Sequence, residues 1–266
     1  MSVGHYENFP VASLLLPKRL RRPVAVIYAF ARSADDFADE GEDAPGVRLQ
    51  KLEEYRLELR RIASGVAPET ALFDDLSRVV REHDLPLGAF DDLIDAFSQD
   101  VVKSRYASFA EVLDYCRRSA NPVGRLLLHL FKRTHETALK HSDAICTALQ
   151  LINFWQDVAL DWRKGRVYLP QDEMRAFGVS ESHLAEQRCD AAWRALMQFQ
   201  CNRAGGLMRE GAPLGRTLSG RPGLEIRVTV QGGLRILEKL KRAGYDSFRR
   251  RPLLRWHDWP LLLWRA

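Results

Sequence analysis

Cysteine is scarce and scattered in this 266-residue chain: Cys116, Cys146, Cys189 and Cys201 form no Cys-x-x-Cys pair. Neither a zinc ligand set nor a disulfide framework is expected, and a reducing cytosol suits the chain best. No run approaches the roughly 18 apolar residues needed to span a bilayer. The opening Met-Ser-Val-Gly-His-Tyr-Glu-Asn-Phe-Pro has neither the basic start nor the apolar stretch of a signal peptide. A transmembrane anchor and secretion are therefore not expected. Alternating strand-like runs bounded by hairpin turns are missing, as are repeats and low-complexity tracts, which argues against β folds, solenoids and disorder.

What is present reads as helix. With 46% hydrophobic and 28% charged residues the chain can bury one large core. In residues 47–64, Val47, Leu49, Leu52, Tyr55, Leu59 and Ile62 recur at three- and four-residue steps among charges, the period of an amphipathic helix. Similar patterns predict helices at about 23–39, 71–83, 87–104, 108–118, 122–133, 137–161, 180–209 and 224–243, separated by short Pro-, Gly- or Ser-rich stretches. The expectation is a single all-α domain over residues 1–266, with 252–266 as a basic, Trp-rich tail.

Charge sharpens the reading of that tail. The net charge of +5 is concentrated where Arg249-Arg250-Arg251-Pro252 leads into Leu253-Leu254-Arg255-Trp256-His257-Asp258-Trp259-Pro260-Leu261-Leu262-Leu263-Trp264-Arg265. Cations mixed with Trp and Leu suit a lipid interface. The plainer reading is a tail that packs its three tryptophans on the domain and exposes its arginines. RNA stacking is a third reading, but no RRM, KH or zinc-finger pattern supports it, and no nucleic acid partner is expected.

The candidate chemistry lies in carboxylates. Asp35 and Asp39, in Arg32-Ser33-Ala34-Asp35-Asp36-Phe37-Ala38-Asp39-Glu40, fall one turn apart on a helix face. Asn153, Asp157 and Asp161 share a face in Gln150-Leu151-Ile152-Asn153-Phe154-Trp155-Gln156-Asp157-Val158-Ala159-Leu160-Asp161. Stacked carboxylates repel and call for a cation; Mg²⁺, a hard ion that keeps waters and phosphate oxygens, is a fitting one. Spacing alone is a weak signal. Chance predicts roughly one Asp-x-x-x-Asp pair, and the chain has four, including Asp39/Asp43 and Asp91/Asp95. An exposed stripe accounts for Asp91/Asp95, whereas Asp157/Asp161 interrupts a strongly apolar helix, where an unpaired charge is expensive.

Over nearly its whole length the chain resembles the squalene/phytoene synthases. The likeness rests on Tyr28-Ala29-Phe30-Ala31-Arg32 before Asp35-Asp36-Phe37-Ala38-Asp39-Glu40, on Tyr115-Cys116-Arg117-Arg118-Ser119-Ala120-Asn121-Pro122-Val123-Gly124, and on Asp157-Val158-Ala159-Leu160-Asp161-Trp162-Arg163-Lys164-Gly165-Arg166-Val167-Tyr168-Leu169-Pro170. The resemblance implies a trans-isoprenoid synthase helical bundle with a central cavity. It implies Mg²⁺ at Asp35, Asp39, Asn153, Asp157 and Asp161, Tyr115 near the reacting carbons, and Arg32 on diphosphate. Further candidates for the substrate are His5, Phe9, Tyr28, Phe30, Gln150, Gln156, Arg163 and Arg166. Arg163, Lys164, Gly165 and Arg166 read either as a mobile basic flap over diphosphate or as an ordinary surface loop. Arg105-Tyr106, after Asp100, read equally as family features or as an ion pair and a core tyrosine.

Two features bear on the reaction. Gln156 stands where the family commonly has Arg, and His5-Tyr6-Glu7-Asn8-Phe9-Pro10-Val11-Ala12-Ser13 with Asn153-Phe154-Trp155-Gln156-Asp157 looks like the bacterial hydroxysqualene synthases of hopanoid biosynthesis. That likeness implies conversion of presqualene diphosphate and water to hydroxysqualene and diphosphate, with no NADPH. One guanidinium fewer suits a pocket that ionises a single diphosphate. Against this, Gly232-Gly233 lies where some relatives carry an aromatic residue. The alternatives are a head-to-head prenyltransferase joining two prenyl diphosphates and a noncatalytic basic helical protein that docks on membrane or nucleic acid. A cytoplasmic protein, peripheral on the membrane's inner face if the tail meets lipid, completes the expectation.

Overall fold

The computed structural model describes residues 17–39 and 43–266, and all regular structure among them is helical. Helix α1 (Lys18–Asp39) buries the stripe Leu20, Val24, Ile27, Phe30, Ala34 and Ala38. Next comes α2 (Pro45–Ala63), with proline in its first turn, where no intrahelical N–H is lost. Thr70 caps α3 (Ala71–His83) by accepting from the Phe73 N–H, and Asp84 closes it in the left-handed region at φ 52°. Then follow α4 (Leu87–Val102), α5 (Phe109–Ser119) and α6 (Asn121–Leu130). The long α7 (Glu136–Arg163) starts at His135, whose Nδ1 accepts from the Ala138 N–H at 3.1 Å.

The pattern expected as one helix over 180–209 divides into α9 (Glu181–Ala185) and α10 (Ala191–Gly211), with the short α8 (Gln171–Ala176) before them. Gln187 takes φ 52° and Asp190 caps a new start by accepting from the Trp193 N–H at 3.0 Å, so local cap chemistry overrides a continuous apolar period. After α11 (Leu214–Thr217) and α12 (Gly220–Arg242), the tail forms a 3₁₀ turn (Trp256–Asp258) and α13 (Trp259–Arg265).

The buried apolar residues fall into two clusters. One is built from α1–α4, with Leu126 and Leu130 of α6. The other is built from α5, α7–α12 and their connecting loops, with Ala96 of α4 and Leu128 of α6. Helices α4 and α6 therefore join the two halves. At Gly233 an added Cβ would stand 2.6 Å from Met208 Cε and 3.2 Å from Ile152 Cδ1, so α12 approaches α7 and α10 too closely for an aromatic residue. This accounts for Gly233 within the pair noted in the sequence.

The tail docks on α12, but not in the way the packing reading had it. The carboxylate of buried Asp258 accepts from Arg235 Nε at 2.9 Å and pairs with Lys239, while Leu262 is buried and Arg265 pairs with Glu238 at 2.6 Å. Trp256, Trp259 and Trp264 remain exposed. The expectation that docking would bury the tryptophans is corrected: ion pairs and Leu262 hold the tail instead.

Candidate active site

On α7 the buried positions Ala148, Leu151, Ile152, Trp155 and Val158 fix the helix's rotation, leaving Gln150, Asn153, Asp157 and Asp161 as one half-buried stripe. Asp157 is bound by both ends of the Arg251 guanidinium, from Nε and from Nη2 at 3.0 Å. Gln156, a third of a turn away, does not join this stripe. It is buried, and its Nε2 donates to the Pro252 carbonyl at 2.8 Å. Its expected contact with substrate is replaced by an anchor for the strap leading into the tail. The argument from one missing guanidinium changes too, because Arg251 brings a guanidinium to the neighbouring carboxylate.

On α1, Tyr28, Arg32, Asp35 and Asp39 follow one another at helical steps along a single face. Arg32 pairs with Asp35 at 3.5 Å and with Asp36 at 2.6 Å. Phe30, expected among the residues that meet substrate, lies on the opposite, core face instead. There it is fully buried against Tyr55, Phe73 and Phe90 with ring centroids 5.2–5.8 Å apart. His5, Phe9 and the side chain of Asp39 lie outside the described residues.

Tyr115 is the centre of a buried polar and aromatic network. Its hydroxyl donates to Asp100 Oδ2 at 2.7 Å, and Tyr168 reaches Asp100 Oδ1 at 3.5 Å. Gln99 Nε2 donates to the Tyr106 hydroxyl at 3.2 Å, and Arg118 holds Gln99 Oε1 at 2.6 Å. The Phe154 and Tyr168 rings stack at 3.8 Å, with Tyr106 and Tyr115 against them. Burial, and then the Asp100 charge, push the Tyr115 and Tyr168 phenols well above their ordinary range, so both stay protonated as hydrogen-bond donors. Asp161 and Arg166 border a small cavity beside Phe154 and Tyr168, which brings the end of the acidic stripe to this network.

The loop after α7 is fastened rather than free. Val167 N–H donates to the Ser104 carbonyl at 2.9 Å, Arg105 binds both Glu181 and the Gly165 carbonyl, and Gln171 N–H donates to the Tyr106 carbonyl at 2.9 Å. The mobile flap is thus corrected to a pinned loop. Within it Arg166 donates to the Asp100 carbonyl at 3.3 Å, while exposed Arg163 turns back to the Ala159 carbonyl at 3.2 Å. Asp91 and Asp95, expected as an exposed stripe, are bridged by Arg56 at 3.4 and 2.7 Å.

The donor set fits a hard divalent cation. Asp35, Asn153, Asp157 and Asp161 offer only oxygen ligands on half-buried faces, and the α1 and α7 faces already attract guanidinium groups. Among the described residues no three acidic, His or Cys side chains form a closed metal cage. Mg²⁺ held by one or two carboxylates together with substrate phosphates needs no such cage. Sequence reasoning did not select Asp100, Phe154, Tyr168 or Arg251 as site residues. Tyr168 lay within a quoted motif, but Arg251 meets Asp157 across 94 positions, and no local pattern carries that signal.

Two guanidinium-paired acidic helix ends and a buried tyrosine–carboxylate network on an all-helical scaffold define a class of enzyme. The chain belongs to the squalene/phytoene synthase family, whose pattern matches residues 3–259. It is 36% identical over 237 residues to a hydroxysqualene synthase of Rhodopseudomonas palustris, covering 88% of this chain and 80% of that one. It is 33% identical over 267 residues to a phytoene synthase of Thermus thermophilus, covering 99% and 89%. The crystal structure of squalene synthase HpnC from Alicyclobacillus acidocaldarius superposes with a TM-score of 0.84 at 36% identity, covering 91% and 90%. Membership of this enzyme family sets aside the noncatalytic reading.

Proposed function

We propose that the chain is a hydroxysqualene synthase, converting presqualene diphosphate and water to hydroxysqualene and diphosphate. The observation that carries the chemistry is the α7 stripe, Gln150 to Asp161, ending beside the Tyr115–Asp100–Tyr168 network. The similarity to a hydroxysqualene synthase over most of the chain supports the particular reaction. Asp35, Asp39, Asn153, Asp157 and Asp161 are the residues that would hold Mg²⁺, which when bound neutralises charge on the departing diphosphate.

Arg32 and Arg251 bind diphosphate oxygens as the carbon–oxygen bond breaks and its electron pair leaves with the diphosphate. The aromatic cluster of Tyr115, Phe154 and Tyr168 borders the cyclopropylcarbinyl cation and its rearranged successor and stabilises their charge. Water then adds its oxygen to carbon and loses a proton, completing a redox-neutral reaction that has no use for NADPH. The reading includes peripheral contact with lipid at the cytoplasmic membrane face, where an apolar product partitions. No helix among the described residues is long and apolar enough to cross a membrane.

A second reading, joining two prenyl diphosphates head to head, is favoured by the phytoene synthase similarity and by Arg251 at the acidic stripe. Presqualene, farnesyl and geranylgeranyl diphosphates, supplied separately with Mg²⁺ and without NADPH, separate the two. The proposal expects diphosphate release from presqualene diphosphate alone. Efficient coupling of farnesyl or geranylgeranyl diphosphate would move the chain to the second reading.

A further inference from the structure

Helix α13 seats leucines and one ion pair on the protein and turns a second apolar, aromatic face to solvent. Each residue turns the helix by about 100°, so Trp259, Pro260, Leu263 and Trp264 occupy one continuous arc, and all four are exposed. The opposite arc carries buried Leu262, half-buried Leu261, and Arg265 in its ion pair with Glu238. A surface helix of a water-soluble domain turns polar residues to solvent instead. Trp256 is 84% exposed, Trp264 82%, Leu263 54% and Trp259 48%, all within nine residues. The chain's other tryptophans, Trp155, Trp162 and Trp193, are buried or half-buried.

This outward face is fixed in place. Asp258 is held by Arg235 and Lys239, Arg255 N–H donates to Asp258 Oδ2 at 2.8 Å, and Arg227 donates to the Ala266 carbonyl. The strap before it is tied as well, by Lys239 on the Leu253 carbonyl at 2.7 Å and by Gln156 on that of Pro252. Along the chain that leads into and forms the aromatic arc the charge is one-sided. Residues 241–266 carry seven basic and two acidic side chains, a surplus of five that equals the surplus of the whole chain. Lys241, Arg242, Arg249, Arg250 and Arg255 are exposed, whereas the carboxylates of Asp246 and Asp258 already face Arg249, or Arg235 and Lys239.

We infer that the 3₁₀ turn and α13 form a preassembled docking surface for an anionic lipid bilayer, with Trp256, Trp259, Leu263 and Trp264 entering the headgroup boundary and the surrounding arginines facing lipid phosphates. Indole rings suit that boundary because they join an apolar body to an N–H donor. Basic residues next to them attract anionic headgroups at a range set by the ionic strength. This deepens the peripheral contact named above by assigning its surface and lipid class. It makes no use of diphosphate chemistry, so its failure would leave the proposed reaction untouched.

Cosedimentation of the full chain with vesicles of phosphatidylcholine, or of equimolar phosphatidylcholine and phosphatidylglycerol, tests it without substrate. Binding is expected only to the phosphatidylglycerol vesicles and should weaken as salt is added. The variants W256A/W264A and R249Q/R250Q should each bind about tenfold more weakly, with melting temperatures unchanged because all four side chains are exposed. In the unaltered chain, brominated phosphatidylglycerol should quench tryptophan fluorescence, a readout that no variant's folding affects. Equal binding by W256A/W264A, equal binding to both vesicles, or absence of quenching would overturn the inference. So would a dimer of the unaltered chain that W256A/W264A abolishes without any lipid binding, since a second copy would then be the occupant.

Discussion

Asp91–Asp95 on α4 and Asp157–Asp161 on α7 share one spacing and differ in everything around it. A single side chain from an adjacent helix, Arg56, bridges the first pair and also reaches Glu53 at 3.2 Å. That cluster is complete within α2 and α4. Asp157 draws its guanidinium from Arg251 on the strap after α12, and Asp161 borders the cavity beside Phe154 and Tyr168. Spacing therefore reports only that two carboxylates share a helix face. Whether the face is structural or reactive depends on which other elements bring it cations and aromatic rings.

The strongest way to break this contrast is to neutralise one carboxylate of each pair. Asp157→Asn should lower diphosphate release at saturating Mg²⁺ by about 100-fold or more, while circular dichroism shows the helices intact. Asp91→Asn, which leaves Arg56 paired with Asp95, should stay within about twofold in rate and about 0.5 kcal/mol in stability. Similar losses in both variants would erase the distinction.

The contrast extends to the tail, whose clamp joins Asp258 to Arg235 and Lys239 of α12. Burial opposes ionisation of Asp258, but hydrogen bonds from Lys239, the Arg255 N–H and Arg235 outweigh it and hold the carboxyl far below the usual range. Asp258→Asn should cost about 3 kcal/mol in chemical denaturation near neutral pH, because it strips a buried partner from two cations. A depressed folded pKa gives stability that is present above the unfolded aspartate value and lost as pH falls through the folded one. The difference between the two proteins should accordingly shrink below about pH 4.

Tyr115→Phe should produce a smaller change, near tenfold in turnover, since a hydrogen bond to a carboxylate is worth roughly 1.5 kcal/mol. The alkaline limb of stability offers a second readout. Burial first, and Asp100 second, raise the folded phenol, so its contribution is full below about pH 10 and falls as pH rises further. The variant should lose stability less steeply there.

Smallest of all, Arg251→Gln should tighten Mg²⁺ binding measured calorimetrically without substrate by roughly twofold to fivefold, the range expected when a partly exposed ion pair stops competing for Asp157. Unchanged affinity would show that Arg251 and the metal do not share that carboxylate.

Most helices were legible because their apolar residues repeat at helical steps, and the face shared by Asn153, Asp157 and Asp161 was legible for the same reason. The interruption at Gln187–Asp190 was not, because a left-handed residue and a side-chain cap leave the apolar period almost unchanged. Phe30 misled because it lies within a resembling motif yet faces the core, as its alignment with Ala34 and Ala38 already implied. Gln156 misled because adjacency to Asp157 in sequence is a third of a turn in space. The pairing of Arg251 with Asp157, and the meeting of Asp100 with Tyr115 and Tyr168, are tertiary facts that no single helix announces.

The central claim is that water captures the cation released when the α7 stripe and its partners ionise presqualene diphosphate. Incubating the full chain with presqualene diphosphate and Mg²⁺ in H₂¹⁸O, without NADPH, and weighing the C30 product by mass spectrometry tests it most directly. The account predicts hydroxysqualene carrying one heavy oxygen, with neither rate nor product altered by added NADPH. Squalene formed only when NADPH is present, or an alcohol without the label, would contradict it.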